Sequence, residues 1–464
     1  MHTPQLRSWS GSLLALTCLL FVAGCSFSKK TRDARAALDS SNPQAALAEY
    51  NDELGVDSAA QLPAETDGDN ALLLLDRAMV LQQLSDYEHS SRDLEVADKQ
   101  VEMLDFKRKP LHEIGRYLFS DDVGPYKARP YEKLLVNTLN MVNYLAREDI
   151  SGAKVEARRL AIMQKYLHEG EDTNPTLTLL GPGSYLAGFV FEHTGDYGEA
   201  LRYYDEALRA APYASLTEPV RRAASYDGYR TDRLEKLLGE EAAEDDSGEL
   251  LVVLSYGRVP ALEPTRIPVG LALTIAGNDI DAADQQKVRR MQAQGLVTWV
   301  NYPRLGESAM SYPTPSVMVD GKPVAIDAIT NVTDLVRKSW DENKGSLVAS
   351  ALVRTLARAA AGAGVGLAVA KGGDQGKRGS NKQQQRSILG LVAALGTQAA
   401  LTAADTPDTR SWATLPGRIA FARIRLPAGQ HSVRLSALGT TVDRAVKIAA
   451  KSWSVLNLTE LRGR

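Results

Sequence analysis

GSYLAGFVFEHTGDYGEALRYYDEALRAAP, residues Gly183 to Pro212, decides how the first half of this chain folds. Gly188 falls in mid-helix, where a missing side chain lets a neighbouring helix come close. Gly195-Asp196 makes a turn, and Asp196 with Glu199 three residues on is the pairing that starts a helix, its oxygens accepting from the free amides of the first turn. Ala200, Tyr204, Ala207 and Leu208 then recur at i, i+4, i+7 and i+8, one face of a helix. Pro212 closes it. The stretch predicts two helices folded back on each other.

Weaker copies lie upstream. Ala78, Leu81, Tyr87, Leu94 and Ala97 keep the spacing within Ala71 to Asp98, and Ser85-Asp86-Tyr87 echoes Gly195-Asp196-Tyr197. Tyr131 to Tyr166 offers Met141, Tyr144, Ile150, Ala153, Ala157 and Leu160; Ala34 to Leu54 is a degenerate unit with Asn42-Pro43 as its turn. The pattern resembles the tetratricopeptide repeat, which sets small residues where two helices cross and an aromatic between them. The expectation is an all-α repeat domain over 31–240, interrupted at Gly55 to Asp69 and Lys107 to Arg129. One helix pair cannot bury its own apolar face, but a stack of three or more makes a core and a concave surface. Either that surface binds extended peptides or helices of other proteins, or the array supports the second half of the chain.

Beyond the acidic stretch Glu241 to Gly248 the period changes. Leu250 to Tyr256 is a strand-like run, followed by Gly257, Pro260, Pro264 and Pro268, which forbid helix. Further strands are predicted at Ile267 to Ile275, Leu296 to Tyr302, Arg418 to Leu426, Gln430 to Leu438 and Lys451 to Leu458. Ser316 to Val319 and Lys322 to Ile326 flank Asp320-Gly321, a hairpin signal. Short strands with Gly/Pro turns suggest a β-sandwich-like domain over 248–464, so the fold class is α+β. A helical insertion is expected at about 333–404: helices at Thr333 to Asn343 and Leu347 to Ala370, a polar loop at Gly372 to Gln385, and a helix at Ser387 to Ala404. That last helix is 18 residues without a charge, at the lower edge of membrane-spanning length. Arg354 and Arg358 in its partner, and its own alanine-rich composition, favour a hairpin packed in water over one inserted in lipid.

The first 25 residues carry a different message. Arg7 is a weak positive start, Leu13 to Val22 is apolar except for Thr17, and Val22-Ala23-Gly24-Cys25 follows. The run is too short to span a bilayer, and the small residues before the break suit a signal peptidase. The tetrapeptide resembles the bacterial lipobox, whose cysteine takes a diacylglycerol on sulfur and a further acyl chain, such as palmitate, on its freed amine. The resemblance implies a signal peptide over 1–24, lipid attachment at Cys25, and a membrane partner through that lipid; an ordinary signal with a chance cysteine is the alternative. Three chains hold a protein on a bilayer stably. Ser26 in place of aspartate implies, by the same resemblance, transfer to the outer membrane, and the expectation is a periplasm-facing chain, with a surface-facing one left open. Ser26 to Lys30 is the expected tether, reaching about 15–20 Å when extended.

At 464 residues, 44% hydrophobic and 24% charged, the chain suits two or three globular domains. Its net charge is −3, and loss of Arg7 on cleavage makes it one unit more acidic, with no electrostatic footprint for nucleic acid. The only cysteines are Cys18 and Cys25, so the mature chain forms no internal disulfide.

Candidate chemistry is sparse. None of His2, His89, His112, His168, His193 and His431 pairs at metal-ligand spacing with another His or Cys. Gly372-Gly373-Asp374-Gln375-Gly376-Lys377-Arg378 lacks the first glycine and the Ser/Thr of a phosphate loop. Ser184 is no nucleophile elbow. The acids of His168 to Asp172 read as a solvated loop. No catalytic residue, cofactor, metal or small-molecule substrate is indicated. The most distinctive segment is Ala404 to Pro416, in which Asp408, Arg410 and Trp412 are the candidate interaction patch, arginine for a carboxylate and tryptophan as an anchor; a structural corner, with Trp412 in the core and Arg410 bridging to an acid, is the favoured reading. With the lipobox, the repeats around Tyr131 to Arg159 and the strand Glu249 to Gly257, this segment resembles a poorly characterised Gram-negative family of tetratricopeptide-repeat lipoproteins. The family's setting implies a non-enzymatic scaffold or adaptor that binds protein partners of the cell envelope, in peptidoglycan synthesis or surface-structure assembly. The alternative is a membrane-active or secretion-apparatus component using the Ala/Gly-rich 347–404 hairpin.

Overall fold

The computed structural model describes residues 26–103, 126–169, 180–239, 245–294, 297–309, 311–372 and 407–463. Helices come first and sheets second. After a short helix α1 (Phe27–Lys30), four antiparallel pairs follow: α2 (Arg32–Asp39) with α3 (Pro43–Glu53), α4 (Asp69–Gln83) with α5 (Tyr87–Gln100), α6 (Pro130–Ala146) with α7 (Ile150–Glu169), and α8 (Leu180–His193) with α9 (Tyr197–Ala210). Two-residue strands β1 (Glu102–Met103) and β2 (Lys127–Ala128) pair between α5 and α6. Helices α10 (Thr217–Tyr226) and α11 (Asp232–Glu235) end the array.

The four pairs turn in the same way. Ser41, Ser85, Glu148 and Gly195 each have positive φ. The next residue (Asn42, Asp86, Asp149 or Asp196) donates its amide to the carbonyl five residues back, at 2.9 Å in every case. This is the left-handed helix ending that favours glycine. Asn42, Asp86 and Asp149 then cap the second helix with a side-chain oxygen accepting from Ala45, His89 and Gly152. Where the helices cross, Gly188 faces the ring of Tyr204 and Gly152 the ring of Tyr144, positions a Cβ could not share.

The second half holds two four-stranded sheets. The first has the order β12 (Trp453–Glu460), β3 (Gly248–Arg258), β9 (Pro416–Leu426), β8 (Thr330–Asn331); β12 is parallel to β3 and the other pairs are antiparallel. The second, antiparallel throughout, runs β11 (Thr440–Ile448), β10 (Gly429–Ala437), β6 (Ser316–Val319), β7 (Lys322–Val324). A core of Leu250, Val252, Leu254, Ala420, Val317, Val433, Leu435 and Ile448 lies between them. The alternate residues Leu251, Val253, Ile419 and Phe421 point the other way and join the core of the helices. The layers are therefore helices, sheet, sheet. Every residue of β3 is buried, which is why residues 250–254 read as an apolar run without alternation.

A ribbon of β4 (Leu262–Pro268) and β5 (Trp299–Leu305) has its own small core with α12 (Val269–Ala276), α13 (Ala282–Ala293) and the middle of α14 (Val332–Gly372), whose first turn instead joins the core of the helices.

Several expectations are corrected. The strand expected at Ile267 to Ile275 stops at Pro268, and 269–276 is helix α12, whose Val269, Ala272 and Ala276 face inward at helical spacing. The two helices expected at Thr333 to Asn343 and Leu347 to Ala370 are one, α14; Gly345 ends nothing and instead meets Asp279 and the Ile275 carbonyl, a close approach that excludes a side chain. Strand β11 was not anticipated, because its inward residues Val446 and Ile448 are outnumbered by exposed polar ones. The regions 31–240 and 248–464 are distinct in sequence but share one core. The expected tether is no free linker: Phe27 is 3% exposed within the helical core, the Ser28 amide donates to Thr409 Oγ1 at 3.1 Å, and Lys30 pairs with Asp69 at 2.7 Å. The phosphate-loop-like glycines from 373 on, and the helix expected at Ser387 to Ala404, lie outside the described residues, as does Cys25. No helix among the described residues is long and apolar enough to cross a membrane.

Candidate functional site: the helix–sheet seam

The face that a stack of helix pairs would offer to a partner carries α4, α6 and α8, whose residues are buried almost without interruption. What covers them is the chain's own first sheet. The polar part of that seam centres on Arg423 of β9. Its Nε donates to Glu249 Oε1 of β3 at 2.8 Å, Nη1 to the Tyr204 hydroxyl of α9 at 2.9 Å, and Nη2 to Glu192 Oε2 of α8 at 2.8 Å and Glu249 Oε2 at 2.7 Å. Arg222 of α10 donates from Nε to Glu192 Oε1 at 2.8 Å. His193 Nε2 lies 3.1 Å from Glu249 Oε2, and the Arg423 guanidinium sits 4.9 Å from the centroid of the Phe189 ring.

The electrostatics follow from this geometry. Burial alone would raise both carboxyls, but Arg423 and Arg222 outweigh it: Glu192 is held below the usual carboxylate range and Glu249 well below it. Burial would likewise lower Arg423, yet Glu249, Tyr204 and Glu192 hold it charged. Glu192, His193 and Glu249 bring ligand atoms within 4.8 Å of one another, the spacing of a metal trio. Their carboxylate oxygens already accept from two guanidinium groups and a phenol, so the cationic place is taken by arginine. Buried charges satisfied in this way specify one docking of sheet on helices.

The segment 407–415 makes the other half of the seam. Trp412 is 1% exposed; its indole Nε1 donates to the Leu75 carbonyl at 3.1 Å and its amide to Glu132 Oε1 at 3.2 Å. The Arg410 side chain is 4% exposed, with Nη2 on Asp408 Oδ2 at 2.8 Å and Nη1 3.8 Å from Asp69. Asp408 accepts also from the Arg410 amide at 2.9 Å. A surface patch needs exposed groups, and here the arginine and tryptophan are inside a corner, with only Asp408 at the edge. Thr414 donates from both its amide (3.0 Å) and its hydroxyl (2.7 Å) to Asp76 Oδ1 on α4. Gln82 donates to Asn143 at 2.8 Å and accepts from Thr459 of β12 at 3.1 Å.

Sequence reasoning brought out Trp412 and Arg410 but not Arg423, Glu192, Glu249 or Asp76. The contacts of Arg423 and the Asp76–Thr414 pair span 174 to 338 positions, beyond the reach of any local spacing. The one available signal was Arg423 interrupting an apolar alternation.

No protein-family model and no curated protein matches the chain.

Proposed function

We propose that this chain is an exported lipoprotein, acylated at Cys25 and held at the outer membrane facing the periplasm, where it acts as a non-enzymatic scaffold for protein partners of the cell envelope. In this reading the four helix pairs are tetratricopeptide repeats and the two sheets a β-sandwich. The repeated positive-φ turns and small residues facing Tyr204 and Tyr144 support the first, and the shared core of the sheets supports the second. The fit is to the poorly characterised lipoprotein family named above, with peptidoglycan synthesis or surface-structure assembly as the setting.

One observation carries the adaptor role. With the inner face of the array sealed by the sheet, partner contact falls to the outer helices, and α7 exposes Val155 (46%), Ile162 (70%) and Tyr166 (59%) at i, i+7 and i+11, one stripe of large apolar side chains. Such a stripe on an otherwise polar surface marks a contact site. The partner is thus engaged on the convex side of the repeats, not in their groove.

A second reading, a membrane-active or secretion component using 347–404, draws on Thr409 lying against Ser28, beside the anchor. Flotation of a non-acylated chain with liposomes, with and without 373–404, separates the two: membrane binding lost with that segment favours the second. For the leading reading, Cys25→Ser is followed through fractionation and palmitate labelling. The expected product is unlabelled and released from envelopes; one that still pellets and incorporates palmitate overturns it. Crosslinking in cells then names the partner.

A further inference from the structure

The acyl-bearing residue in the proposed lipoprotein is joined directly to a fixed point of the fold. Ser26 is 2% exposed, Phe27 is in the core, the Ser28 amide is held by Thr409, and Arg35 Nη2 donates to the Ser28 carbonyl at 2.8 Å. Consecutive Cα atoms are ~3.8 Å apart, so Cys25 has about one residue's length of freedom from a rigid body. Most tethered proteins swing on a polar linker; here no such residues intervene.

We propose that the end of the body formed by α1, α2 and the last described residues of the chain is apposed to the lipid headgroups, giving the protein one orientation on the bilayer. The proposal rests on acylation at Cys25. Lys29 and Arg32 are exposed at this end; Lys29 makes no ion pair among the described residues, and Arg32 pairs only with its solvent-facing neighbour Asp33. The rest of the orientation follows from the fold. Helix α2 leads from the anchor to Asp39, which accepts from Arg258 Nη2 at 2.7 Å and from the Gly463 amide at 2.9 Å. Arg258 ends β3, and eleven residues of strand carry the chain about 35 Å to Gly248. Gly248 lies against Ile448 and the Ala449 carbonyl. Lys447, exposed beside them, therefore marks the end of the body away from the membrane.

The test uses the acylated full chain in vesicles of phosphatidylethanolamine and phosphatidylglycerol containing a nickel-chelating lipid. A nitroxide is placed on Arg32→Cys or on Lys447→Cys; with Cys18 removed and Cys25 acylated, the new thiol alone is labelled. Nickel at the headgroups is expected to relax the label at 32 at least fivefold more than that at 447. Equal relaxation at the two sites in protein that floats with the vesicles overturns the orientation while leaving the anchor intact. Failure to float overturns the anchor itself, and the orientation with it. Inserting ten Gly/Ser residues between Cys25 and Ser26 is expected to equalise the two sites with flotation kept; an undiminished difference would show that the short connection is not its cause and overturns the proposal.

Discussion

The ring of Phe421 on β9 lies flat on that of Tyr185 on α8, centroids 4.3 Å apart and planes 10° from parallel. Both side chains are fully buried, so the contact joins the helical half to the β half through a core that neither closes alone. Helical and β structure are accordingly expected to unfold together. Phe421→Ala should cost about 3–5 kcal/mol, seen in urea as one transition, displaced to lower denaturant, by both circular dichroism and tryptophan fluorescence. Two separated transitions in the parent protein would contradict a shared core.

Arg423 neutralises two buried carboxylates at once. Arg423→Met leaves Glu249 and part of Glu192 uncompensated, a loss of about 3–5 kcal/mol. Adding Glu249→Gln to Arg423→Met should recover part of it, because the orphaned charge is gone; chemical denaturation of the four proteins in the cycle reads the coupling. Simple additivity would mean that the two groups do not act as a pair.

Asp76 predicts a pH dependence. Burial pushes its carboxyl up to about 7 against the pull of the Thr414 hydrogen bonds and of Arg35 and Arg258, and its Oδ2 has no hydrogen-bond partner among the described residues. In the unfolded chain it titrates near ~3.9. Between these values the folded state keeps a proton that the unfolded state has released. The contribution is therefore full below about pH 4 and is lost as the pH rises to about 7, a change of up to about 4 kcal/mol. Asp76→Asn retains an oxygen for Thr414 and removes the titration. The stability difference between variant and parent should move in the variant's favour from pH 5 to pH 8, and a pH-independent difference would show that Asp76 does not titrate in this range.

Glu148 occupies a left-handed position that glycine fills in the α8–α9 turn (φ 59° against 77°). Glu148→Gly is expected to stabilise by up to about 1 kcal/mol, measured by thermal melting. Gly188→Ala, by contrast, drives a Cβ into the Tyr204 ring and should cost about 1–3 kcal/mol.

Ile162 is 70% exposed on α7. Ile162→Asp should change stability by no more than about 0.5 kcal/mol yet, on the proposed adaptor role, abolish crosslinks to the proposed envelope partner. Crosslinks retained at full strength would move the contact site elsewhere.

Much of the architecture was legible because its causes are local. The turns at Asn42, Asp86 and Asp196 need only an amide and a preceding residue of positive φ, all within a few positions, although the expected capping by Asp196 is not made: its side chain accepts no hydrogen bond from the first turn of α9. The Asp320-Gly321 hairpin is likewise written in two residues, both with positive φ in the fold. Helical period and strand runs marked the change of structure near residue 248. What only tertiary structure decided was the pairing of distant surfaces: that the sheet fills the inner face of the helices, that Arg423 meets Glu192, that Trp412 docks on Leu75, and that Ser26 to Lys30 are bound into the body. Burial depends on which apolar faces find each other across hundreds of residues, and a chain's own periodicity shows that a face is apolar without showing what will cover it.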